Sequence, residues 1–264
     1  TPKPSSAASD VYKRQKKSLS FFNKLFPNSE KNLKIVFTSL HGTSHKLVPT
    51  LLKKTGFLEL KLVDKQMTPD GNFTHAKSSN PEDKLALIDA IEIAKKNNSD
   101  LVIGTDPDAD RFGIVVKDFN DDFIKINGNQ SMIVLTDFLL SKLEYDKTKS
   151  FIASTVVSTP MMQKIADKNK VKLILSLTGF KWIGKMINDF PSLNYICGGE
   201  ESYGFLAGNF VRDKDALTSS LLISGLCNEL KKQNSSFFER LVDCYVKYGF
   251  YKDCLLYTSP SPRD

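Results

Sequence analysis

The stretch DLVIGTDPDADRFGIVV, residues 100–116, places three aspartates between two apolar runs. The runs DLVIGT and FGIVV have the length and the β-branched content of buried strands. Asp106, Asp108 and Asp110 occupy alternate positions between them, so an extended loop would point all three side chains to one side. Carboxylates about 5 Å apart repel each other by roughly 3 kcal/mol per pair at an effective dielectric constant near 20. The loop is therefore predicted to hold a cation.

The position and composition of this loop favour magnesium. In an open α/β sheet, ligands bind beyond the carboxyl ends of the strands, and the aspartates begin where DLVIGT ends. Three hard oxygen donors suit Mg²⁺, and water or a phosphate oxygen can complete its coordination. Arg111 follows directly and can bind that phosphate through two hydrogen bonds. A solvated acidic turn is the alternative without a metal.

Two other cation-dependent motifs are excluded by counting. An EF-hand loop that begins at Asp106 would need glycine at its sixth position and glutamate at its twelfth, where Arg111 and Lys117 stand. Phosphatases similar to haloacid dehalogenases have threonine or valine at the fifth position of their motif, where this sequence has Asp110. The aspartate loop therefore belongs to neither class.

Outward from the loop, strand-like runs alternate with helical patterns. Predicted strands at 33–39 and 58–63 flank a helix at 47–56, and another helix covers 84–98. Residues 68–81, rich in Pro, Gly, Asn and Ser, are predicted to form a long surface loop. The alternation then continues with helix 130–143, strand 150–155, helix 159–169, strand 171–177 and helix 179–187. Two successive sets of this kind predict two consecutive doubly wound α/β/α domains.

Both ends of the chain are predicted to be foreign to these domains. Residues 5–15, SSAASDVYKRQ, and residues 254–264, CLLYTSPSPRD, resemble in-frame translations of the adapters used in transposase-based DNA sequencing. We therefore expect both ends to make few contacts, and we expect the remainder to be part of a longer protein. The predicted division is a tail at 1–15, a first domain at 16–125, a second domain at 126–253 and a tail at 254–264.

Composition narrows the class of protein. The 264 residues are 41% hydrophobic and carry a net charge of +7, but the lysines occur as scattered pairs. Without a basic stripe interleaved with aromatics, nucleic-acid binding is not expected, whereas a mild positive field suits an anionic small substrate. No apolar run reaches the about 18 residues of a membrane span. Outside the predicted tail, three cysteines without CxxC spacing favour reduced, mostly buried thiols and a cytoplasmic location.

The aspartate loop resembles the metal loop of the α-D-phosphohexomutases, the phosphoglucomutase/phosphomannomutase family. Three further regions resemble the same family in the same order. FTSLHGT, residues 37–43, matches the first strand and turn of the family's second domain, and SNPED, residues 79–83, matches its PNPE loop with Ser79 in place of proline. LTGFKWIG and CGGEESYGFLAGNFVRDKDA match the third domain. The RDKDA and YGFY runs favour the bacterial type, which acts mainly on glucose phosphates.

The resemblance implies an intramolecular phosphotransferase that interconverts hexose 1-phosphate and hexose 6-phosphate. The family reaction passes through a phosphoserine and a sugar bisphosphate, so glucose 1,6-bisphosphate is the expected activator and a hexose phosphate the expected partner. Asp106, Asp108 and Asp110 match the ligands of one Mg²⁺ ion. Arg111 is then expected to neutralise charge on the transferring phosphoryl group.

The third-domain motifs imply the residues that contact the sugar. Glu200 and Ser202, in GEESYG, match the loop that contacts sugar hydroxyls, and a carboxylate and a hydroxyl suit that role. The alternative for Glu200 and Glu201 is a surface acidic pair. Some relatives carry a histidine just after the serine, where Tyr203 stands here. Lys181, in TGFKWIG, is therefore the candidate general base, and a helix lysine that extends into solvent is the alternative.

Three further residues are predicted to be structural. His41 is expected to organise its loop through hydrogen bonds. Phe180 and Trp182 are expected to be core residues.

The resemblance also implies which parts of the mechanism lie elsewhere. The family's phosphoserine belongs to a TASHNP-like stretch of its first domain, and its phosphate-binding RPSGTEP-like loop belongs to the fourth. Neither stretch occurs in this sequence. The chain alone is therefore expected to bind Mg²⁺ weakly and to show no turnover. Two other functions stay open, a Mg²⁺-dependent phosphatase with Asp106 as nucleophile and a sugar-phosphate-binding module.

Overall fold

A computed structural model describes residues 6–27 and 30–252. The first half of the chain forms a five-stranded sheet in the order β2-β1-β3-β4-β5. β1 is parallel to β2 and β3, whereas β4 is antiparallel to both β3 and β5. Its strands are β1 (Ile35–Thr38), β2 (Leu60–Leu62), β3 (Leu101–Thr105), β4 (Phe112–Lys117) and β5 (Phe123–Ile126).

The second half repeats the order of the first four strands of the first half. Its sheet has the order β7-β6-β8-β9, in which β6 is parallel to β7 and β8, and β8 is antiparallel to β9. Its strands are β6 (Ser150–Thr155), β7 (Lys172–Ser176), β8 (Asn194–Gly199) and β9 (Phe205–Ala207). Two α/β/α domains with mixed sheets confirm the predicted fold class.

The helices cover the faces of the two sheets. They are α1 (Ser6–Leu25), α2 (Leu47–Lys54), α3 (Ile88–Lys96), α4 (Gly128–Lys142), α5 (Met161–Asn169), α6 (Lys181–Asp189), α7 (Ala216–Lys232) and α8 (Phe237–Tyr248). α4 begins at a capping box, in which the Asn127 side chain accepts from the Gln130 N–H and the Gln130 side chain accepts from the Asn127 N–H. This box explains why α4 starts two residues before the predicted helix.

One of the three apolar clusters of the described residues joins the two domains. It includes Phe37 and Ile103 of the first sheet, Ile152 and Phe205 of the second, and side chains of α4 and α7 such as Leu222. Both helices are buried along nearly their whole length because they pack between other elements on several sides. The aspartate loop and the third-domain motifs are therefore held on one packed scaffold.

Part of the predicted N-terminal tail lies within a helix. α1 continues into residues 16–25, where Phe22 and Leu25 are buried and the helix packs on α7. Within 5–15, Val11 and Tyr12 are exposed, but the Arg14 guanidinium pairs with the buried carboxylate of Asp215. The foreign origin of the tails stays a prediction, and residues 254–264 lie outside the described residues.

Two further expectations concern composition. Cys197, Cys227 and Cys244 are free and buried, as expected, and burial raises the pKa of Cys197 to about 12. Within the ranges that the structure describes, no helix has the length and apolar character needed to cross a membrane.

Candidate active site

The three aspartates converge at the carboxyl end of β3. One carboxylate oxygen from each of Asp106, Asp108 and Asp110 lies within 4.8 Å of the others. The loop is a tight turn and not the extended segment expected from the alternating spacing. Ala109 adopts a left-handed conformation with φ of 62°, and its N–H donates to the Asp106 carbonyl at 3.1 Å. The turn brings the carboxylates together, while their role as metal ligands stays a prediction.

The Asp106 carboxylate is bound by the backbone of its own loop. Its Oδ1 accepts the backbone N–H groups of Asp110 at 3.1 Å and Arg111 at 2.9 Å. The Arg111 Nε lies 3.6 Å from its Oδ2 and 3.8 Å from Asp110 Oδ1. Burial raises the pKa of Asp106, and the neighbouring carboxyls of Asp110 and Asp108 raise it further, although the Arg111 N–H opposes them. Added positive charge at this site would stabilise the ionised carboxylate.

The FTSLHGT segment packs against the aspartate loop and is hydrogen-bonded to it. The Thr43 N–H and Oγ1 both donate to the Pro107 carbonyl, at 2.8 and 3.0 Å. A Cβ on Gly42 would lie 2.5 Å from the Pro107 Cα, so only glycine allows this approach. Ser44 follows this segment directly, and its hydroxyl lies 2.6 Å from that of Thr105 at the end of β3.

His41 organises the neighbouring loop, as predicted. Its Nε2 accepts the His75 N–H at 3.2 Å, so its Nδ1 carries the proton that is donated to the Thr68 carbonyl at 2.7 Å. These two hydrogen bonds connect the FTSLHGT segment to the start and to the middle of loop 68–81. His41 is therefore a structural residue in this arrangement.

Backbone hydrogen bonds join the GEESYG segment directly to the aspartate loop. Arg111 and Gly204 form an antiparallel bridge, and the Phe112 N–H donates to the Tyr203 carbonyl at 3.2 Å. Tyr203 is buried and has φ of 68°. The structure thus brings together Asp106, Asp108 and Asp110 with the segment that carries Glu200 and Ser202.

Glu200 lies in the GEESYG segment, close to Gly204 and Lys214. Its side chain is buried, and its Oε1 accepts the Gly179 N–H at 3.0 Å. Burial raises the pKa of Glu200, while the positive charges of Lys214 and Arg111 act in the opposite direction. Ser202, two residues later, is half-buried. A buried carboxylate beside two cations can accept hydrogen bonds from the hydroxyls of a sugar phosphate.

Lys214 belongs to the site although no role was predicted for it. Its Nζ lies 3.2 Å from Asp110 Oδ2, and its side chain is only 16% exposed. A Cβ on Gly204 would lie 2.7 Å from the Lys214 Cδ, so glycine at 204 leaves room for the lysine stem. The next residue, Asp215, caps α7 by accepting the N–H groups of Leu217 and Thr218. In the sequence, Lys214 could have been noticed only as the lysine of RDKDA that directly precedes the N-cap residue Asp215.

Among the described residues, no hydrogen bond or ion pair joins Lys181 to the aspartates or to Glu200. Lys181 is the first residue of α6, its side chain is exposed, and its Nζ is 5.5 Å from the centre of the Trp182 ring. Two residues earlier, Gly179 donates to Glu200. Phe180 is buried, as predicted, but the prediction for Trp182 was wrong because its side chain is 36% exposed. α6 turns its buried face, which includes Ile183, away from Trp182.

Comparison with known families identifies both domains. The description "Phosphoglucomutase/phosphomannomutase, alpha/beta/alpha domain II" matches residues 13–120, and that of domain III matches residues 127–245. The chain belongs to the phosphoglucomutase/phosphomannomutase family. Its aspartate loop therefore lies in domain II of the family, and its GEESYG segment in domain III.

Individual relatives agree with this assignment. Phosphoglucomutase of Staphylococcus aureus (strain N315) is 39% identical over 255 residues, which are 96% of this chain and 45% of that protein. The protein of strain MRSA252 is 38% identical over the same shares of the two chains. The chain thus spans less than half the length of these relatives.

Solved structures of the family share the fold. A putative phosphomannomutase from Thermus thermophilus superimposes with a TM-score of 0.72 at 16% identity, over 90% of this chain and 51% of that one. The phosphoglucomutase parafusin from Paramecium gives 0.64 at 20% identity, over 92% and 42%. N-acetylphosphoglucosamine mutase from Aspergillus fumigatus, in complex with GlcNAc-6P and magnesium, gives 0.61 at 13% identity, over 87% and 52%.

Proposed function

We propose that this chain forms the metal-binding and sugar-binding domains of a Mg²⁺-dependent phosphohexomutase. The enzyme would interconvert hexose 1-phosphate and hexose 6-phosphate, with glucose as its sugar and glucose 1,6-bisphosphate as its activator. One observation carries the proposal: three convergent carboxylates lie against the segment that holds Glu200 and Ser202. The curated relatives named phosphoglucomutase support the choice of glucose.

The donor set fits one Mg²⁺ ion held by Asp106, Asp108 and Asp110. All three donors are carboxylate oxygens, which Mg²⁺ prefers. Among the described residues, the buried Asp110 Oδ1 accepts no hydrogen bond, so it remains able to bind a cation. The Aspergillus mutase, solved in complex with magnesium, supports the same choice. When bound, Mg²⁺ supplies positive charge that stabilises a transferring phosphoryl group.

The chain's own residues orient the two ends of the substrate. The carboxylates of Asp106 and Asp110 hold the Arg111 guanidinium near their loop, where it can donate to phosphate oxygens. Glu200 accepts hydrogen bonds from sugar hydroxyls, and the Ser202 hydroxyl can donate or accept. In the whole enzyme, the phosphoserine and the phosphate-binding loop would lie in domains that correspond to the parts of the relatives outside the matched 45%.

Transfer of a labelled phosphoryl group tests the proposal. With ³²P-labelled glucose 1,6-bisphosphate and Mg²⁺, we expect no stable label on this chain and no turnover of glucose 1-phosphate. In a chimera that carries residues 16–253 in place of the matching part of the S. aureus phosphoglucomutase, we expect turnover and label on a serine outside this chain. Stable label on Asp106 of the chain alone would contradict the proposal and favour the phosphatase.

The same chimera tests the general base. We propose that Lys181 takes the proton from the attacking hydroxyl, and that Lys214 balances the charges of Asp110 and Glu200. Lys181→Ala should then lower kcat by about 10²-fold or more, with KM nearly unchanged, because general-base catalysis acts in the chemical step. If Lys181→Ala leaves kcat unchanged and Lys214→Ala lowers it at constant KM, the base is Lys214.

A further inference from the structure

The two adjacent glutamates of the GEESYG segment face opposite directions. Glu200 turns towards the start of α6 and accepts the Gly179 N–H. Glu201 turns the other way, towards the turn formed by residues 155–158 between β6 and α5. The sequence suggested a surface acidic pair as the alternative to a sugar site, but the second carboxylate is bound within the domain.

Two hydroxyl groups hold the Glu201 carboxylate. The Ser158 hydroxyl donates to Glu201 Oε2 at 2.8 Å, and the Thr155 hydroxyl lies 3.1 Å from the same oxygen. The Ser158 Oγ also accepts the backbone N–H of Glu201 at 3.2 Å. Thr155 is the last residue of β6, the strand that pairs with both β7 and β8, and its side chain is buried. Ser158 and Thr155 together therefore fix the backbone and the carboxylate of Glu201 to the end of a rigid strand.

The first turn of α4 encloses the same residue from another side. A Cβ on Gly128 would lie 2.0 Å from the Glu201 carbonyl oxygen, so glycine is required for this approach. The next residue, Asn129, accepts the Thr159 N–H through its Oδ1 at 3.0 Å. The start of α4 therefore packs against Glu201 and is also hydrogen-bonded to the residue after the 155–158 turn. These contacts restrict movement of the segment 200–204.

We infer that Glu201 is a positioning residue for the sugar-contacting segment 200–204. Its anchorage to Thr155 and Ser158 keeps Glu200 turned towards Gly179 and keeps Gly204 paired with Arg111. The importance of this geometry for sugar binding rests on the proposed function, whereas the anchorage itself does not. Without the carboxylate, the two largely buried hydroxyls lose their shared acceptor and keep only the 2.7 Å contact with each other, so Glu201 is no longer bound to the end of β6.

Amide hydrogen exchange measured by NMR on the full chain tests this inference. The reporters are the N–H groups of Phe112, which donates to Tyr203, and of Glu200, which donates to Gly204. In Glu201→Ala, we expect both to exchange about tenfold faster or more, because the lost hydrogen bonds restrain local opening. Glu201→Gln should stay close to wild type, because its amide oxygen can accept the same two hydroxyls.

Matched variants make the test specific. Val157→Thr changes an exposed residue of the same turn and should leave exchange unchanged. Ser158→Ala keeps the carboxylate, removes its nearer donor, and should accelerate both reporters by about threefold or more. If Glu201→Ala fails to fold, the exchange rates in Ser158→Ala decide whether the inference holds. Reporter exchange at wild-type rates in Ser158→Ala and in a folded Glu201→Ala would overturn the inference, as would failure of Glu201→Gln to restore protection.

A titration with glucose 6-phosphate separates this inference from the proposed function. If the chimera binds glucose 6-phosphate and Glu201→Ala weakens that binding while Glu201→Gln does not, the anchored segment contacts the sugar. If the unaltered chimera does not bind glucose 6-phosphate, the sugar-binding role of Glu200 and Ser202 is wrong. In that case the exchange rates of Phe112 and Glu200 still decide whether Glu201 anchors the segment.

Discussion

Asp108→Asn in the chimera with S. aureus phosphoglucomutase should lower kcat/KM by about 100-fold or more, equivalent to about 2.7 kcal/mol of transition-state stabilisation. Asp108 is the exposed member of the three converging aspartates, so its substitution should change folding little. The variant replaces one of three anionic donors with a neutral amide, which weakens the hold on Mg²⁺. The measurement is conversion of glucose 1-phosphate as a function of Mg²⁺ concentration.

The Mg²⁺ dependence distinguishes loss of metal affinity from other causes. If Asp108 is a ligand, higher Mg²⁺ should recover part of the activity. Asp121→Asn is the matched control, since it removes an aspartate whose side chain is 85% exposed in the turn between β4 and β5. It should leave activity unchanged at every Mg²⁺ concentration. Equal activities of the two variants at limiting Mg²⁺ would contradict the metal assignment.

Local sequence patterns were sufficient to predict most elements near the site. The apolar runs before and after the aspartates became β3 and β4, and the helix expected at 159–169 became α5, Met161–Asn169. These elements follow from hydrophobic periodicity and from helix-capping and turn residues, which are local signals of a few residues. The convergence of the aspartates was also predicted, although it arises from the left-handed turn at Ala109.

Other elements lack such a local signal. α7 is buried on nearly all sides, so its sequence does not show one apolar face. No strand was predicted at β5, because this edge strand is only partly buried and has no clear apolar pattern. Trp182 shows the opposite error, since it was assigned to the core from its residue type, although it lies outside the buried face of the amphipathic helix α6.

The site contacts that sequence reasoning missed are all distant along the chain. Lys214 contacts Asp110 across the domain junction, and Glu201 contacts Ser158 from 43 residues away. Neither pair has a spacing that a helix or strand would bring together, so only the packed domains reveal them. The resemblance to a family identified the segments, whereas the partners of individual side chains came from the structure.

A buried ionic cluster joins α8 to the rest of the second domain. Asp137 on α4 is 2% exposed, and its carboxylate binds the Arg240 guanidinium, the Lys247 ammonium at 2.8 Å and the Tyr248 hydroxyl, all on α8. Asn169 of α5 donates to the same Tyr248 hydroxyl at 3.2 Å. Burial lowers the pKa of Lys247, but the hydrogen bonds with Asp137 and Tyr248 outweigh it, so that the pKa is raised overall.

Asp137→Asn should therefore lower the free energy of unfolding by about 3 kcal/mol near pH 7, since it leaves two partly exposed cations without their shared carboxylate. Urea denaturation of the chain measures the change, and Asp243→Asn on the exposed side of α8 is the matched control, expected within about 0.5 kcal/mol of wild type.

Because Lys247 has a raised pKa when folded, the stabilisation that it contributes is complete below its unfolded pKa of about 10.4 and is lost as pH rises through the folded value. The difference between Asp137→Asn and wild type should thus stay constant from about pH 7 to 9 and shrink above about pH 10.5. A difference below that of Asp243→Asn would show that α8 is held by its apolar face alone.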